Sequence, residues 1–401
     1  MAASSDISCS NHVARPSQQT HLLVLVLLCH FLSAFTALGM PLFLPRMLAS
    51  IDPLLGDYWV GLLFVTPSVC TALVAANWGH FSDRYGKRIS LLRAQLGLSL
   101  GFVVSGFASS VEVFALGLII QGLCGGTLAA SNSYLSSMQK GQKLAQSLNY
   151  TQLSARLALL FGPVVLGLFT SVAEPLMVYR YLALLPLLAF VIAWFFPEDR
   201  DGRSETTLTA SNTASVDQNI PTAQWNAGLT TIIALQFLFS FSMVVTFPYF
   251  LQFSHQLGLA SDSVIGLIYS LPHLVYLTLV YVVGKFSWSP RSQAAAGLIA
   301  LGFACAGHSM VEGVIELCFL RLLFGLGMVL SYNGIHRLLS DQLITGSTGF
   351  IFGRFDASGK WAGVGAGLLA GLLVTFTNPT TPFIAATVSS LIAVILLIKR
   401  A

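Results

Sequence analysis

Charge is the scarcest property of this sequence, since Asp, Glu, Lys and Arg together make up 9% of its 401 residues. Soluble domains carry about 25% charged residues, so an ordinary soluble fold is excluded. Apolar residues make up 55% of the chain and the mean hydropathy is +0.77, which is typical of a protein with many membrane-spanning helices. A chain of this length accommodates about 12 spans of about 20 residues each, with no separate soluble domain.

The sequence also lacks cysteine and histidine pairs with disulfide or metal-ligand spacing. Its eight histidines are scattered, and its six cysteines lie mostly inside apolar runs, as small buried hydrophobic residues do. We therefore predict no disulfide framework, no metal site, no bound cofactor and no enzymatic centre. The cysteines are Cys9, Cys29, Cys70, Cys124, Cys305 and Cys318.

Long apolar runs predict an all-α membrane protein with twelve transmembrane helices. The segment 197–224 is rich in Ser, Thr, Asp and Asn and predicts a flexible linker. It separates a six-helix half over 22–196 from a second over 225–398, with polar ends at 1–21 and 399–401. The predicted spans are 22–44, 58–78, 89–108, 112–138, 145–170, 178–196, 226–252, 262–284, 292–309, 313–339, 347–376 and 380–398.

Lysine and arginine are distributed unevenly between the two sides of the predicted bundle. If both termini share one side, thirteen cations lie on that side, only Arg46 and Arg180 lie on the other, and five fall within spans. Cytoplasmic loops carry such an excess, so we expect both termini to be cytoplasmic. The thirteen are Arg15, Arg84, Lys87, Arg88, Lys140, Lys143, Arg200, Arg203, Lys285, Arg291, Arg337, Lys399 and Arg400.

A short, charged segment over 79–88 connects the second and third predicted spans, and we predict that it forms a loop. Read alone, it could be an ordinary loop with an excess of cations. Its complete pattern G-x-x-x-D-R-x-G-K-R, however, resembles the loop between helices 2 and 3 of the major facilitator superfamily of transporters. The residues that carry the pattern are Gly79, Asp83, Arg84, Gly86, Lys87 and Arg88.

This resemblance implies the major facilitator fold, with two pseudo-symmetric six-helix halves. Repeated segments agree with a duplication, because Gly79-His80-Phe81-Ser82 recurs 205 positions later as Gly284-Lys285-Phe286-Ser287. The resemblance also implies that the segment 79–88 gates one side of the molecule. Gly79 would let helix 2 approach helix 11, and Asp83 would lie near the positive N-terminal end of helix 11.

A second pattern, in the fifth span, resembles the helix-5 motif of proton-coupled drug antiporters. It comprises Gly162, Pro163 and Gly167, with Ala158 and Leu166 at two positions where the motif has glycine. Gly-Pro inside a helix kinks it and permits close packing, so a generic kinked helix is the alternative interpretation. The resemblance implies an exporter that uses the proton gradient and needs no cofactor. The antiporter arginine of helix 4 is replaced by Leu118, and an arginine stands at the equivalent position of helix 10, Arg321.

Ionisable side chains deep within spans are costly and indicate a cavity or a partner. The deep cations are Arg156, Arg321 and Lys360, and Asp356 is the one carboxylate well inside a span. Asp356 and Lys360 are four residues apart and can pair on one helix face, either as a buried salt bridge or with Asp356 as the proton carrier. His30 in the first span could also carry a proton or could simply be packed.

Polar side chains also recur at helical spacing on several spans. They could line a water-filled cavity or form hydrogen bonds between helices, and we predict a cavity for the set. Tyr269, His273 and Tyr276 share a face of the eighth span, while Gln152 and Arg156 lie together on the fifth. Gln121 and Gln236 lie on the fourth and seventh spans.

Together these features predict a secondary transporter in a bacterial inner membrane that exports a small organic molecule by alternating access, coupled to protons. Three deep cations against one acid favour an anion, such as a carboxylate-rich siderophore or an acidic metabolite, although a drug is also compatible. A proton-coupled importer of an organic anion is the alternative within the fold, and a membrane receptor or enzyme is the alternative outside it. We expect a monomer that contacts the lipid bilayer and its substrate and binds no nucleic acid.

Overall fold

The computed structural model is a bundle of α-helices that describes residues 16–139, 141–170, 174–198, 227–342 and 348–400. The helices in these ranges form twelve crossings, α1 to α12. The predicted linker lies almost entirely outside the described residues. α1 is Pro16–Gly39, Met40–Phe43 and Leu44–Ile51; α2 Tyr58–Tyr85; α3 Lys87–Gly106; α4 Val111–Cys124 and Thr127–Met138; α5 Gly141–Gly167; α6 Met177–Leu182 and Leu184–Trp194; α7 Ala227–Val244 and Phe250–Gln256; α8 Asp262–Val283; α9 Pro290–His308; α10 Val314–Asp341; α11 Thr348–Phe376; α12 Thr381–Arg400.

By length and composition, ten helices of the described chain could each cross a membrane. The two crossings outside this set are α5 and α9, whose first turns are rich in polar residues. Both nevertheless pack along neighbours of membrane-spanning length, α5 against α1 and α8, and α9 against α10 and α12. The all-α architecture with twelve helices is therefore confirmed.

Several predicted boundaries differ from the structure. The segment 79–88 is not a loop, because α2 continues to Tyr85 and α3 begins at Lys87, so that only Gly86 lies between them. Gly86 has a φ of 100°, a conformation that glycine adopts without strain and that allows this abrupt turn. α1 begins at Pro16, earlier than predicted, and a 3-10 turn and a further helical segment extend it to Ile51.

The fourth span, predicted as continuous, is broken between Cys124 and Thr127, where Gly126 has a φ of 85°. A break at membrane depth requires donors for the freed carbonyl groups. Trp78 Nε1 donates to the carbonyl of Leu123 at 2.6 Å, and Arg93 donates to that of Cys124 at 2.8 Å. Arg93 therefore caps the break in α4, whereas the sequence placed it simply within the third span.

The two halves, α1–α6 and α7–α12, contact each other mainly through α5 with α8 and α2 with α11. We call the side where α1 begins and α12 ends the terminal face, and the opposite side the far face. Glycines bring the halves together toward the far face. A Cβ added to Gly61 of α2 would lie 2.4 Å from the carbonyl oxygen of Gly367 of α11, and one added to Gly266 of α8 would lie 2.1 Å from that of Pro163.

The same pairs of helices separate toward the terminal face. Within the described residues, a Cβ added to Gly79 near the end of α2, or to Gly353 near the start of α11, would meet no atom within 4 Å. The halves are therefore in close contact at the far face, and from their separation at Gly79 and Gly353 we infer a cleft between them that opens at the terminal face.

Candidate functional site in the central cleft

Arg156 of α5 lies where the closed region of the interface meets the cleft, and its side chain reaches across to the other half. Its Nη1 atom lies 3.5 Å from Nδ1 of His273 on α8 and 3.8 Å from Sδ of Met328 on α10. Its guanidinium group stacks 4.5 Å from the ring centre of Tyr276. The structure thus brings together Arg156, His273 and Tyr276, three of the residues predicted from the sequence.

The contact between Arg156 and His273 is favourable in only one protonation state of His273. A guanidinium group only donates hydrogen bonds, so His273 Nδ1 must accept and the imidazole proton must lie on Nε2. An imidazolium ring has no free acceptor and would repel the guanidinium group at the observed 3.5 Å. Protonation of His273 is therefore incompatible with this contact between the halves.

Aromatic rings continue from Tyr276 along one side of the cleft, and we call Tyr276, Tyr332, His336 and Phe355 the aromatic wall. Tyr332 of α10 meets Tyr276 edge-on with ring centres 5.7 Å apart and stacks on His336 at 3.8 Å. His336 meets Phe355 of α11 at 5.0 Å. Tyr332 and His336 were not among the residues predicted from the sequence, although their spacing of four residues places them on one face of α10.

Asp356 and Lys360 form the predicted pair on α11, with 2.8 Å between Oδ2 and Nζ. Their side chains are 67% and 69% exposed, so the alternative of a buried structural salt bridge is wrong. An exposed pair contributes little to stability, so both side chains remain available to a substrate. Gln152, one turn from Arg156, is also exposed.

Arg321 does not line the cleft, contrary to the prediction. It is 1% exposed inside the second half, where its Nε and Nη2 atoms donate to the carbonyls of Ile268 at 3.4 Å and Tyr269 at 2.6 Å. Pro272 has no N–H, so the carbonyl of Ile268, four residues earlier, has lost its usual helical donor. Arg321 therefore caps the kink that Pro272 produces in α8.

Four other predicted candidates lie within the packing of a single half. His30 is 2% exposed, and Tyr269 is buried with its ring against Phe250. Gln121 Nε2 donates to Ser105 Oγ at 3.3 Å, and Gln236 Nε2 donates to Ser240 Oγ at 3.2 Å. For these residues, packing between helices fits the geometry better than contact with a substrate.

The helix-5 motif lies in the closed region of the interface. A Cβ added to Gly162 would lie 3.1 Å from Cα of Gly39 in α1, and one added to Gly167 would lie 2.6 Å from the carbonyl oxygen of Asp262 in α8. The glycines therefore allow α5 to pack closely between α1 and α8. This is the close packing that the motif predicts.

The gating motif lies at the terminal face, where the cleft is open. Gly79 and Asp83 are exposed, and the predicted approach of α2 to α11 at Gly79 is not made among the described residues, although the two helices meet at Gly61 near the far face. Arg84 packs over the ring of Tyr85, and Arg88 pairs with Glu198 at 3.3 Å and donates to the carbonyl of Trp194. Arg88 therefore attaches the motif to the end of α6 within its own half.

The sequence model of the Major Facilitator Superfamily matches residues 26–314. The chain belongs to this superfamily. Multidrug resistance protein MdtG of Yersinia enterocolitica is 28% identical over 144 residues, which cover 36% of this chain and 35% of that protein. The chain thus matches only about a third of the length of each of these multidrug resistance relatives.

Two further matches of this facilitator extend over most of its length. The class B tetracycline resistance protein of Escherichia coli is 24% identical over 351 residues, covering 85% of this chain and 80% of that protein. The crystal structure of the human organic anion transporter MFSD10 (TETRAN) superposes with a TM-score of 0.67 at 17% identity, covering 96% and 100% of the two chains. This structural likeness supports the facilitator fold.

Proposed function

We propose that this facilitator exports a small aromatic anion in exchange for protons. Its relatives named for multidrug and tetracycline resistance support a role in efflux. The excess of cations on the terminal side supports a cytoplasmic terminal face and therefore a cleft open to the cytoplasm. The observation that carries the proposal is the contact of Arg156 with His273 across the two halves.

The chemistry of the cleft supports an anion with a planar ring. Asp356 and Lys360 together contribute no net charge, whereas Arg156 makes no ion pair among the described residues. A carboxylate can accept two parallel hydrogen bonds from a guanidinium group. The adjacent aromatic wall offers ring faces and edges to a planar substrate, for which stacked and edge-on contacts are favourable.

The contact of Arg156 with His273 can couple the movement of substrate to that of a proton, because binding of either one breaks this contact. A substrate carboxylate competes with His273 for the guanidinium group, which frees the halves to move. When Arg156 is away, the imidazole can take a proton from the far face. Return to the cleft-open form brings guanidinium and imidazolium together, and their repulsion releases the proton into the cleft. Protons and substrate then cross in opposite directions.

This mechanism assigns the proton to His273 rather than to Asp356 or His30, the candidates that the sequence left open. Asp356 is exposed and already paired with Lys360, so protonation there leaves the contact between the halves unchanged. We therefore place Asp356 and Lys360 as substrate contacts in the cleft.

The test is transport by the purified protein in liposomes with an imposed pH gradient, using labelled benzoate-type and naphthoate-type carboxylates as probes. We expect Arg156→Gln to weaken binding at least about tenfold, which corresponds to about 1.4 kcal/mol. His273→Gln keeps a polar side chain that cannot take up a proton. It should therefore retain exchange of labelled for unlabelled substrate and lose accumulation driven by the gradient.

Lys399→Gln is the matched control, because it removes a cation from the end of α12 outside the cleft, and it should behave as the wild type. Uphill accumulation by His273→Gln would contradict the coupling mechanism. Equal binding by Arg156→Gln and the wild type would contradict the anion site. Import driven by an inward proton gradient would favour the symporter alternative.

A further inference from the structure

A buried carboxylate connects the two halves at the far face, outside the cleft and outside both sequence motifs. Asp262, the first residue of α8, has a side chain with 0% exposure. Its Oδ2 atom lies 2.8 Å from Nη1 of Arg46 in α1 and accepts a hydrogen bond from Thr170 Oγ1 at 2.8 Å, just after α5. Its Oδ1 atom lies 3.2 Å from Nε2 of His255 in α7.

Two of these three partners belong to the opposite half. Asp262 and His255 lie in the second half, whereas Arg46 and Thr170 lie in the first. A second contact reinforces the same face, where Tyr249 of the second half donates to the carbonyl of Asp57 at 2.6 Å. The far face cannot open while Asp262 is held by Arg46 and Thr170.

Separation of the halves is costly as long as Asp262 is charged. Separation would break the hydrogen bonds of the carboxylate to Arg46 and Thr170 and leave it with His255 alone, and hydrogen bonds to a charged group are roughly twice as strong as those between neutral groups. A protonated Asp262 carries no charge and avoids most of this cost. Protons can arrive from the far face, because the side chains of Arg46 and His255 are 34% and 36% exposed there.

We propose that Asp262 is the latch of the far face and a second proton-binding site, and that a proton from the far face releases it. The titratable groups that contact it are Arg46 from α1 and His255 from α7, while Thr170 contributes a neutral hydroxyl. A charged His255 adds a second cation and favours the closed latch. Opening therefore requires the proton on Asp262 itself.

The latch rests on the alternating opening of two halves but needs neither the substrate nor the proton role of His273, so its test is independent of transport. We would place spin labels on the far face at Leu54 of the first half and Met310 of the second, which are 94% and 81% exposed. The labels would be introduced into the full chain with its native cysteines replaced, in lipid nanodiscs. Distances between them would be measured by electron double resonance from neutral to acid pH.

For the unmodified latch we expect the short distance at neutral pH and a growing long-distance population as the pH falls. Asp262→Asn mimics the protonated carboxylate, so it should show the long distance already at neutral pH and lose the pH response. Arg46→Gln removes the half-exposed partner and should raise the open-to-closed ratio by roughly tenfold or more, as expected for loss of one partner of a buried pair. Because Arg46 is partly exposed, this variant checks the latch if Asp262→Asn folds poorly.

Glu174→Gln is the matched control. It removes an ion pair with Arg180, 3.8 Å long, that lies at the surface and within the first half alone. It should leave the distances and their pH response unchanged. A closed far face in both Asp262→Asn and Arg46→Gln, or an unchanged pH response in Asp262→Asn, would overturn the latch. Failure of the export proposal would leave these distances unaffected.

Discussion

At the scale of single residues, two arginines within membrane spans have different environments and different roles. Arg156 is half-buried at the edge of the cleft, with a histidine of the other half as its polar partner. Arg321 is fully buried and donates to main-chain carbonyls, with the rings of Phe250 and Phe324 at 4.6 and 4.9 Å from its guanidinium carbon. Aromatic faces attract such a cation and offset part of its desolvation. The first residue is the one that we propose to meet a substrate, and the second supports a kinked helix.

The cap on the kink of α8 predicts a specific stability pattern. Arg321→Met should lower the free energy of unfolding by about 1–3 kcal/mol for each buried carbonyl that loses its donor. Pro272→Ala restores an N–H that can bond to Ile268, so Arg321→Met should cost less in that background. Thermal melting of the four purified proteins of this cycle measures both effects, with Leu322→Met on the exposed side of α10 as a control. Equal losses in the two backgrounds would show that Arg321 does not act through the kink.

At the scale of elements, α5 is the helix on which the closed interface depends. Its glycines give backbone contact with Gly39 of α1 and Asp262 of α8, and Gly266 of α8 in turn approaches the carbonyl of Pro163. Helices in lipid associate through such close packing, because apolar burial between them has little driving force there. The helix-5 motif therefore acts through shape, and a side chain at a motif glycine has no space to occupy.

We expect Gly162→Val to weaken the contact of α5 with α1. The first added carbon would lie 3.1 Å from Cα of Gly39, closer than ordinary van der Waals contact, and overpacking of this kind costs roughly 1–3 kcal/mol. Val164→Leu is the matched control, since Val164 is not fully buried. Melting temperature and transport should both fall for Gly162→Val and stay near wild type for Val164→Leu. Similar values for the two variants would remove the motif from the account of the interface.

At the scale of the whole molecule, the two halves make one set of contacts at the far face and leave the terminal face open. The contacts of Asp262 and the contacts between glycines hold the far face closed. The gating motif at Gly79 and Asp83 is exposed at the terminal face. Alternating access requires the opposite arrangement at another point of the cycle. The gating motif is then expected to meet α11, as the resemblance implies.

This difference between forms predicts that Gly79→Leu impairs transport without destabilising the cleft-open form. No described atom lies within 4 Å of a Cβ added at Gly79, so the melting temperature should stay close to wild type, while closure against α11 is obstructed. Asp83→Asn should slow transport similarly with normal insertion. Gly313→Leu, another open position but at the far face, serves as the control for transport and stability. Full transport by both Gly79→Leu and Asp83→Asn would contradict a gating function.

The sequence by itself determined the class of the molecule and its family. Its low charge and long apolar runs require helices in lipid, because a backbone in hydrocarbon must satisfy its own hydrogen bonds. The spacing in 79–88 and around Gly162 identified the superfamily before any contact was known. Local spacing also predicted the pair of Asp356 with Lys360, since residues four apart share a helix face.

Only the tertiary structure decided which polar residues meet and which are merely packed. Arg156 and His273 are 117 positions apart, and Arg46 and Asp262 are 216 apart, so no local pattern connects them. Arg321 and Gln121 have the same sequence signature as residues of the cleft, yet neighbouring helices enclose them. The depth and direction of a side chain in a bundle depend on where each helix is kinked and which neighbour covers it, and both are set by packing across the fold.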